Sequence, residues 1–455
     1  MSIASVDPTS GEVVASFDPL SDAELDAALE RAHQAQRAWA ARPLDERLSL
    51  LTRAGEGLRA RKDELARLMA LEMGKPLAEG ESEVEKCAWV CEHYAEQAAA
   101  LLAPQAVESD ASRSEVVYRP LGVVLAVMPW NFPFWQVFRF AAPALALGNA
   151  GLLKHASNVP QCALAIEDVL TRAGAPRGLF QTLLIEVEAV AGVIEDPRVR
   201  GVTLTGSTPA GRKVAAAAGA ALKPTVLELG GSDPYLILED ADLEHAAEQC
   251  VTSRLINSGQ SCIAAKRFVV VEAARERFEA LVVERMRAAK VGPPTEEGCS
   301  VGPMARVDLR DELQAQVERS VAAGARCLLG GERRAGPGAF FTPTVLSDVA
   351  AGMPAYDEEL FGPVAAIVPV ADEAEAIRVA NDTPFGLGAA VFTRDVERGW
   401  RIARDELQAG CCFVNGFVRS DPRLPFGGIK DSGYGRELGA PGLLAFANVK
   451  TLWAR

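Results

Sequence analysis

Apolar residues recur at helical spacing through most of the first hundred residues. Ser21 is followed three residues later by Glu24 and then by apolar residues at intervals of three and four, which predicts a capped helix. A second helix is predicted through residues 48–74, where a glycine ends it, and a third through residues 83–102. We therefore predict that residues 21–104 are mainly helical.

The pattern changes after this region into short β-branched runs that alternate with helical segments. The first alternating set begins with GVVLAV at residue 122 and ends with PTVLELGG at Gly231, and a second set follows it. Such alternation is typical of a parallel sheet with helices on both faces. We predict an α/β fold with two doubly wound units, and the final residues GLLAFANVKTLWAR favour a strand.

The composition is that of a globular protein with an acidic surface. The 455 residues are 49% hydrophobic and 24% charged, with a net charge of −14 and a pI of about 5.0. This charge disfavours nucleic acid and anionic membranes as partners. The apolar stretch 121–153 contains one charged residue, Arg139, but three prolines interrupt it, so we expect buried core and no membrane span.

The cysteines and histidines form no metal motif. The nine cysteines are scattered without a CxxC pair, and the four histidines lie far apart. An odd number of cysteines without a disulfide framework favours reduced thiols in a cytosol. The first ten residues have neither the basic start nor the apolar run of a signal peptide. We therefore expect no metal site and a cytoplasmic location.

The strongest chemical signal is the segment NSGQSCIAAKR, residues 257–267. Cys262 follows a predicted helix and a glycine-containing turn, and it precedes the predicted strand KRFVVV. At such a junction a thiol can face a cleft and lie among backbone N–H groups, which lower its pKa. The alternative is a small buried hydrophobic residue, which is the commoner role of a single cysteine.

Two further segments place polar side chains where a ligand would bind. Glu228 ends the apolar strand TVLELGG, and a carboxyl group in apolar surroundings has a raised pKa and can act as a general base. Asn131 lies among prolines and aromatic residues in MPWNFPFW, where service as an oxyanion donor would explain a buried amide. The alternatives are a solvent-facing carboxylate for Glu228 and turn formation for Asn131.

A predicted strand, turn and helix at residues 202–219 offer an anion site. The segment GSTPAGRK resembles a phosphate-binding loop, but Arg212 and Lys213 stand where that motif requires Lys and then Ser or Thr. An NTPase loop is therefore not predicted, and the dinucleotide fingerprint GxGxxG is also absent. What remains is a helix N-terminus with small residues, which suits an anion.

Together these motifs resemble the aldehyde dehydrogenase superfamily along essentially the whole chain. PWNFP, TGST, ELGG, NSGQSC, EELFGPV and LPFGGIKDSGYGRE occur in the family's order and at its spacing. Within the superfamily, KHASNVPQCA and the short chain are most similar to bacterial succinate-semialdehyde dehydrogenases. The resemblance implies NAD(P)-dependent oxidation of an aldehyde, with succinate semialdehyde as the expected substrate, by a homodimer or homotetramer.

The resemblance also implies roles for individual residues. Cys262 matches the nucleophile that forms a thioester, Glu228 the general base that hydrolyses it, and Asn131 the side-chain oxyanion donor. The cofactor positions are Lys154 for the adenosine ribose, Gly206 and Ser207 for the pyrophosphate, Glu359 and Phe361 for the nicotinamide ribose and ring, and Trp130 and Leu229 as further contacts.

Departures from the family pattern bear on the cofactor. Many NAD-specific members carry Glu three residues after the ribose lysine, where this chain has Ser157. The missing carboxylate makes room for a 2′-phosphate and favours NADP, with NAD as the alternative. Ala264 and Ile256 stand where some succinate-semialdehyde dehydrogenases have a redox-switch Cys and a substrate-binding Arg, so neither feature is expected.

One arginine in an apolar stretch bears on the substrate. Arg139 lies eight residues after Asn131, and a buried guanidinium needs an anionic partner. The resemblance implies that Arg139 binds the distal carboxylate of the substrate, assisted by Arg419 and Arg423 from the segment before LPFGG. The alternative is an internal ion pair between Arg139 and a protein carboxylate.

The resemblance implies three structural parts. They are a cofactor-binding domain at 1–107 and 128–228, a catalytic domain at 229–429, and a β oligomerisation extension at 108–127 and 430–455, which pairs across subunits. Other functions remain open: a broad-specificity or CoA-acylating aldehyde dehydrogenase, a cysteine hydrolase, and an inactive structural homologue. Glu228 argues against the acylating enzyme, the lack of His in the motifs against the hydrolase, and the complete set of catalytic positions against the inactive homologue.

Overall fold

The computed structural model describes residues 3–455 of the chain. Its helices are α1 (Asp22–Ala40), α2 (Leu44–Ala60), α3 (Lys62–Met73), α4 (Leu77–Leu101), α5 (Trp135–Leu147), α6 (Pro160–Arg172), α7 (Val190–Glu195), α8 (Thr208–Ala220), α9 (Leu243–Leu255), α10 (Glu272–Ala288), α11 (Val307–Ala322), α12 (Pro354–Asp357), α13 (Glu373–Asn381), α14 (Val396–Arg401) and α15 (Gly439–Leu444).

The strands fall into separate sheets. They are β1 (Ile3–Val6), β2 (Val13–Phe17), β3 (Gln105–Ala106), β4 (Arg113–Pro120), β5 (Val123–Met128), β6 (Ala150–His155), β7 (Phe180–Thr182), β8 (Val199–Thr205), β9 (Thr225–Glu228), β10 (Asp233–Ile237), β11 (Ala265–Val271), β12 (Arg326–Leu329), β13 (Thr344–Ser347), β14 (Val364–Val370), β15 (Gly388–Phe392), β16 (Cys411–Val414), β17 (Gly433–Tyr434) and β18 (Ala447–Ala454).

The first four helices follow the predicted pattern with one exception. The backbone N–H of Ser21 donates to Glu24 Oε2 at 2.9 Å and that of Glu24 donates to Ser21 Oγ, so the predicted capping box of α1 is confirmed. The single helix predicted through residues 48–74 is wrong, because Arg61 separates α2 from α3. The Arg61 backbone leaves the helical conformation (φ −113°) and its guanidinium pairs with Asp168, a distant contact that periodicity cannot reveal.

One sheet has six strands in the order β17-β9-β8-β5-β6-β7. All are parallel except β17, which pairs antiparallel with β9. Parallel neighbours end at the same edge of a sheet, and ligands bind outside that edge. The last residues of four strands therefore share one edge, namely Met128, His155, Thr205 and Glu228.

A second sheet has seven strands in the order β12-β13-β14-β11-β10-β15-β16. All are parallel except β12, which is antiparallel to β13. Each sheet has its own hydrophobic core, so the predicted α/β class with two sheet units is confirmed. Cys262 lies shortly before Ala265, the first residue of the buried strand β11.

A third sheet is antiparallel, with the order β18-β4-β3. β18 pairs with β4 from Ala447 opposite Pro120 to Ala454 opposite Arg113, and its side chains are largely exposed. β5 starts inside the predicted extension 108–127 but belongs to the six-stranded sheet, because its apolar side chains are buried in that core. β17, also predicted in the extension, lies in the same sheet.

The apolar stretch 121–153 forms β5, α5 and β6, most of which is buried in the core around the six-stranded sheet. Across residues 3–455, none of the helices combines the length and the apolar character that crossing a bilayer requires.

The indole of Trp39 joins α1 to α5. Its Nε1–H donates to the carbonyl oxygen of Leu145 at 2.9 Å, and the residue is 1% exposed. Trp39→Ala removes this bond and leaves a cavity, so we expect the free energy of unfolding to fall by about 3–5 kcal/mol. Trp400 is 59% exposed, and Trp400→Ala should cost less than about 0.5 kcal/mol. Denaturant titration followed by circular dichroism compares the two, and equal losses would contradict this packing.

Candidate active site

Two cavities meet at Cys262. The strand-end cavity, about 550 Å³ in volume, lies at the carboxyl edge of the six-stranded sheet, and its lining includes Trp130, Asn131, Thr205, Gly206, Ser207, Leu229, Cys262, Glu359 and Phe361. The α4–α5 cavity, about 380 Å³ in volume, has a lining that includes Glu79, Lys86, Trp135, Arg139, Cys262, Arg419 and Ser420. Cys262 thus lies in a wall that both cavities share.

The loop before Cys262 has a constrained backbone. The three residues from Asn257 to Gly259 have successive positive φ angles of 55°, 56° and 78°, in the left-handed region. A β-carbon at Gly259 would collide with the carbonyl oxygen of Gly362, so this position accepts only glycine. Such a conformation persists only where neighbours fix it. One such contact is the bond from the Asn257 N–H to Glu79 of α4 at 2.6 Å.

Amide hydrogen bonds join this loop to the segment after β5. Asn257 Nδ2 donates to the Asn131 carbonyl oxygen at 2.6 Å, and Asn131 Nδ2 donates to the Gln260 carbonyl oxygen at 3.0 Å. Asn131 Oδ1 in turn accepts from Gln136 Nε2 at 3.1 Å. The structure therefore brings Asn131 to the cavity wall that contains Cys262, and the second N–H of its amide is left for a ligand.

The Cys262 thiol is in its protonated form at neutral pH. Burial raises its pKa to about 12, while the nearby cations Lys266 and Arg139 act in the opposite direction. A lowered pKa, expected for a thiol among backbone N–H groups, is not found, because the loss of hydration outweighs the fields of the nearby cations. Formation of the thiolate therefore requires a proton acceptor or an added positive charge beside the sulfur.

Glu228 ends β9, and its carboxyl group lies in a buried cluster outside the lining of either cavity. A β-carbon at Gly427 would lie 2.5 Å from Glu228 Oε1, and neither oxygen has a hydrogen-bond partner among residues 3–455. Burial raises the pKa of Glu228 well above its usual range, Arg139 opposes this shift, and Glu437 adds to it. The raised pKa is as predicted, but neither of the cavities that Cys262 lines includes Glu228 in its lining.

Arg139 on α5 has a protein partner. Its Nε forms an ion pair with Glu437, and the two side chains are 3% and 6% exposed. Nη2 donates to Thr205 Oγ1 at 3.3 Å, and the guanidinium lies 4.7 Å from the centroid of the Phe426 ring. The internal ion pair, given above as the alternative, is therefore present, although Arg139 also lines the α4–α5 cavity.

The other two candidate arginines differ in position. Arg419 is exposed and lines the α4–α5 cavity. Arg423 Nε donates to Asp421 Oδ1 at 2.9 Å, and the guanidinium lies over Trp89 in a separate groove. The structure therefore does not bring Arg423 to the cavity, because the carboxylate two residues earlier holds it in a local ion pair.

The strand-end cavity gathers most of the predicted cofactor residues, namely Trp130, Gly206, Ser207, Leu229, Glu359 and Phe361. The Trp130 and Phe361 rings pack edge to face with their centroids 5.8 Å apart. Gly206 and Ser207 directly precede α8, so a helix N-terminus opens onto this cavity. The lining thus combines an anion site with aromatic walls.

A buried lysine links Glu359 to the Cys262 loop. Lys266 Nζ lies 3.1 Å from Glu359 Oε1 and donates to the carbonyl oxygens of Ser261 at 3.0 Å and Cys262 at 2.6 Å. Glu359 Oε1 also accepts from the N–H of Gly231 at 3.1 Å. The position of the Glu359 carboxylate in the strand-end cavity is therefore set by Lys266 and the ELGG turn.

Lys154 and Ser157 lie beside the strand-end cavity, at the end of β6. Lys154 Nζ donates to the His155 carbonyl oxygen at 2.9 Å, and burial lowers its pKa. Ser157 is exposed in the turn between β6 and α6. Neither residue is in the lining of the cavity, but both lie at the same sheet edge as Gly206, because β6, β5 and β8 are parallel neighbours.

Sequence reasoning missed three charged residues of the site. Lys266 is the first residue of the predicted strand KRFVVV, and a charge in a predicted buried strand is a usable signal. Glu437 lies within LPFGGIKDSGYGRE, but nothing local marks it as the partner of Arg139. Lys86 lies on a predicted helix with several other charged residues, so no pattern distinguishes it from a solvated position.

Comparisons with known proteins find matches along the whole length of the chain. The model of the aldehyde dehydrogenase family matches residues 1–452. The probable NADP(+) succinate-semialdehyde dehydrogenase of Synechocystis sp. is 50% identical over 453 residues, covering 100% of both chains. The NADP(+) succinate-semialdehyde dehydrogenase of Mycobacterium avium is 50% identical over 457 residues, covering 100% of this chain and 97% of the relative.

Solved structures agree as well. Succinic semialdehyde dehydrogenase from Streptococcus pyogenes, in complex with NADP+, has a TM-score of 0.97 and 38% identity, with 99% of each chain covered. The structure of Gox0499 has a TM-score of 0.98 and 39% identity, with 100% of each chain covered. Because these matches span the whole chain and its two-sheet architecture, the protein belongs to the aldehyde dehydrogenase family.

Proposed function

We propose that this protein oxidises succinate semialdehyde, an aldehyde with a distal carboxylate, to the dicarboxylic acid with NADP as the oxidant. The observation that carries the proposal is the position of Cys262 between two cavities. One cavity contains most of the residues predicted to hold the cofactor, and the lining of the other includes the cations Arg139 and Arg419. The lining of the second cavity includes three cations and two carboxyl groups, and a thiol between a dinucleotide site and such a cavity suits an anionic aldehyde. The names of the relatives support the same substrate and cofactor.

In the first half-reaction, the Cys262 thiol gives its proton to solvent water, and the thiolate attacks the aldehyde carbon, whose C=O π electrons move onto oxygen to give a tetrahedral oxyanion. The free N–H of the Asn131 amide and the backbone N–H of Cys262 donate to this oxyanion, and one such donor contributes roughly 10²–10³ in rate. When bound, NADP+ supplies the acceptor for the hydride. Loss of hydride from the carbon leaves a thioester on Cys262.

In the second half-reaction, water attacks the thioester carbon and the Cys262 sulfur leaves. Glu228 takes the proton from that water as general base. This role requires the carboxyl group to turn away from Glu437 and toward Cys262, since neither cavity lining includes it. Glu228 must first give its own proton to solvent, and the resulting carboxylate is a stronger base than an ordinary glutamate because its pKa is raised.

The residues at the sheet edge fit NADP. Ser157 offers a hydroxyl where a carboxylate would repel the 2′-phosphate, and Lys154 adds positive charge. Gly206 and Ser207, at the N-terminus of α8, suit the pyrophosphate. NAD lacks the 2′-phosphate and is the alternative cofactor.

We further propose a cytoplasmic homodimer or homotetramer that assembles through the three-stranded sheet. The outer edge of β18 is unpaired within residues 3–455, and such edges favour pairing with another chain. Its exposed apolar side chains include Val449 and Trp453. The proposed parts remain a cofactor-binding domain (1–107, 128–228), a catalytic domain (229–429) and this extension (108–127, 430–455).

Replacement of the nucleophile tests the chemistry. Cys262→Ala removes only the attacking sulfur, so kcat should fall by a factor of roughly 10³ or more while the affinity for NADP+ stays unchanged. Cys327→Ala is the control, because Cys327 is exposed and lies in the lining of neither cavity. Steady-state kinetics and NADP+ titration measure both variants. More than a tenth of the wild-type kcat in Cys262→Ala would refute the mechanism.

Replacement of the general base separates the half-reactions. Glu228→Gln should form the thioester and release about one equivalent of reduced cofactor, and then turn over slowly, because water is not activated. Rapid mixing with absorbance detection measures this burst. Slow turnover without a burst would show that Glu228 acts before hydride transfer.

The cofactor proposal is tested at Ser157. Ser157→Glu should shift the ratio of kcat/KM for NADP over NAD toward NAD by at least about tenfold, because a carboxylate repels the 2′-phosphate and accepts from ribose hydroxyls. Ser157→Gln, of similar size and without charge, should shift the ratio much less. A wild-type enzyme that prefers NAD, or an equal shift in the two variants, would overturn this role.

A further inference from the structure

We infer that Lys86 of α4, together with Ser420, determines specificity by binding the distal carboxylate of the aldehyde in the α4–α5 cavity. This inference rests on the proposed function and names the side chains that recognise the anionic end of the substrate. Lys86 then takes the place of Arg139 as the ligand of the distal carboxylate, because Arg139 is already paired with Glu437.

Lys86 projects from the helix face that forms one wall of the cavity. Glu79, Ser82, Glu83 and Lys86 follow helical spacing along α4, and all of them line the cavity together with Cys262. Lys86 Nζ donates to Ser420 Oγ at 2.8 Å and lies 4.4 Å from the centroid of the Trp135 ring. The ammonium group is therefore held in the wall of the chamber that contains the thiol.

The three cations that line this cavity differ in their partners. Arg139 is neutralised by Glu437, and Arg419 is exposed to solvent. Among residues 3–455, no carboxylate oxygen lies within 4.0 Å of Lys86 Nζ, and Glu83 is paired with Lys75 instead. A part-buried ammonium without an anionic partner is costly, and a substrate carboxylate would supply that partner.

Ser420 completes a site for two carboxylate oxygens. The residue is 6% exposed, and its Oγ accepts the bond from Lys86, which leaves its own O–H free to donate. A carboxylate can accept one charge-assisted bond from the ammonium and one from this hydroxyl. The pair is therefore suited to an ω-carboxy aldehyde whose other end reaches Cys262.

The surroundings of Lys86 add a pH dependence. Burial is the largest effect on the pKa of Lys86 and, together with the positive charge of Arg139, lowers it to about 8. Cys87, Glu83 and Asp421 act in the opposite direction and raise this pKa. The charged and titratable groups that face it are Glu79, Glu83 and Cys87 from α4, Arg139 from α5, and Arg419 and Asp421 from the loop after β16. The ammonium is charged below this pKa and neutral above it, so affinity for a carboxylated aldehyde should fall as the pH rises through about 8.

The test compares succinate semialdehyde with butanal, a neutral aldehyde of the same chain length. Lys86→Met should lower the ratio of their kcat/KM values at neutral pH by at least about tenfold. Arg423→Met is the matched control, because it removes a positive charge from the neighbouring loop outside the cavity, and it should change the ratio less than about twofold. Equal effects of the two variants, or an unchanged ratio in Lys86→Met, would overturn the inference.

A pH profile of the same ratio separates Lys86 from Glu79, whose pKa burial raises to about 7. In the wild type the ratio should fall above about pH 8, whereas Lys86→Arg, which stays charged, should keep it level over that range. A fall of equal size in Lys86→Arg would assign the titration to another group and refute this role.

The comparison of the two aldehydes distinguishes a failure of the proposed function from a failure of the role assigned to Lys86. A wild-type enzyme that does not prefer succinate semialdehyde to butanal refutes the proposed function. A wild-type enzyme that does prefer it, with the preference retained in Lys86→Met, refutes only the assignment of Lys86.

Discussion

Two amide hydrogen bonds hold the site together. Asn257 donates to the backbone of Asn131, and Asn131 donates to the backbone of Gln260, so the loop after β5 and the loop before β11 fix each other. These loops leave different sheets with separate cores, and packing within either core does not set their relative position. The left-handed backbone that ends at Gly259 makes this contact possible. The placement of Cys262 between two cavities therefore depends on the side-chain amides of Asn131 and Asn257 and on Gly259.

An ion pair lies on each side of Cys262. On the side of the strand-end cavity, Lys266 pairs with Glu359, and in the other cavity Arg139 pairs with Glu437. The thiol and Glu228 have no such partner, and burial favours their neutral forms. Burial thus favours the neutral form of both groups, and nearby cations favour the ionised form. Reaction therefore requires transfer of the Cys262 proton or binding of a positively charged group beside the sulfur.

Local signals in the sequence were sufficient for much of this structure. Capping residues, apolar periodicity and glycine turns depend on neighbours in the chain, so the box at Ser21 and the alternation of strands and helices could be predicted. The positions at strand ends follow from the same alternation, because parallel strands end at one edge. The motif match then assigned roles to residues that the fold brings together, such as Asn131 and Cys262.

The features that the sequence did not reveal depend on contacts between residues far apart in the chain, or on opposing effects on a pKa. Glu437, the partner of Arg139, lies almost three hundred residues further along the chain, and Asp168, one partner of Arg61, lies 107 residues after it. The pKa of Cys262 follows from burial working against nearby cations, and neither is visible in NSGQSC. Lys86 lines a cavity only because α4 packs beside α5, and the sequence does not show this packing.

In the proposed mechanism, Cys262 carries the acyl group between the two half-reactions. The most direct measurement is to mix the enzyme with NADP+ and succinate semialdehyde, quench it in acid within the first turnover, and map its peptides by mass spectrometry. We predict a succinyl group, labile to hydroxylamine, on the tryptic peptide 255–266, in which Cys262 is the sole cysteine. A succinyl group on Cys411 or Cys412, or stoichiometric reduced cofactor without any acylated cysteine, would contradict it.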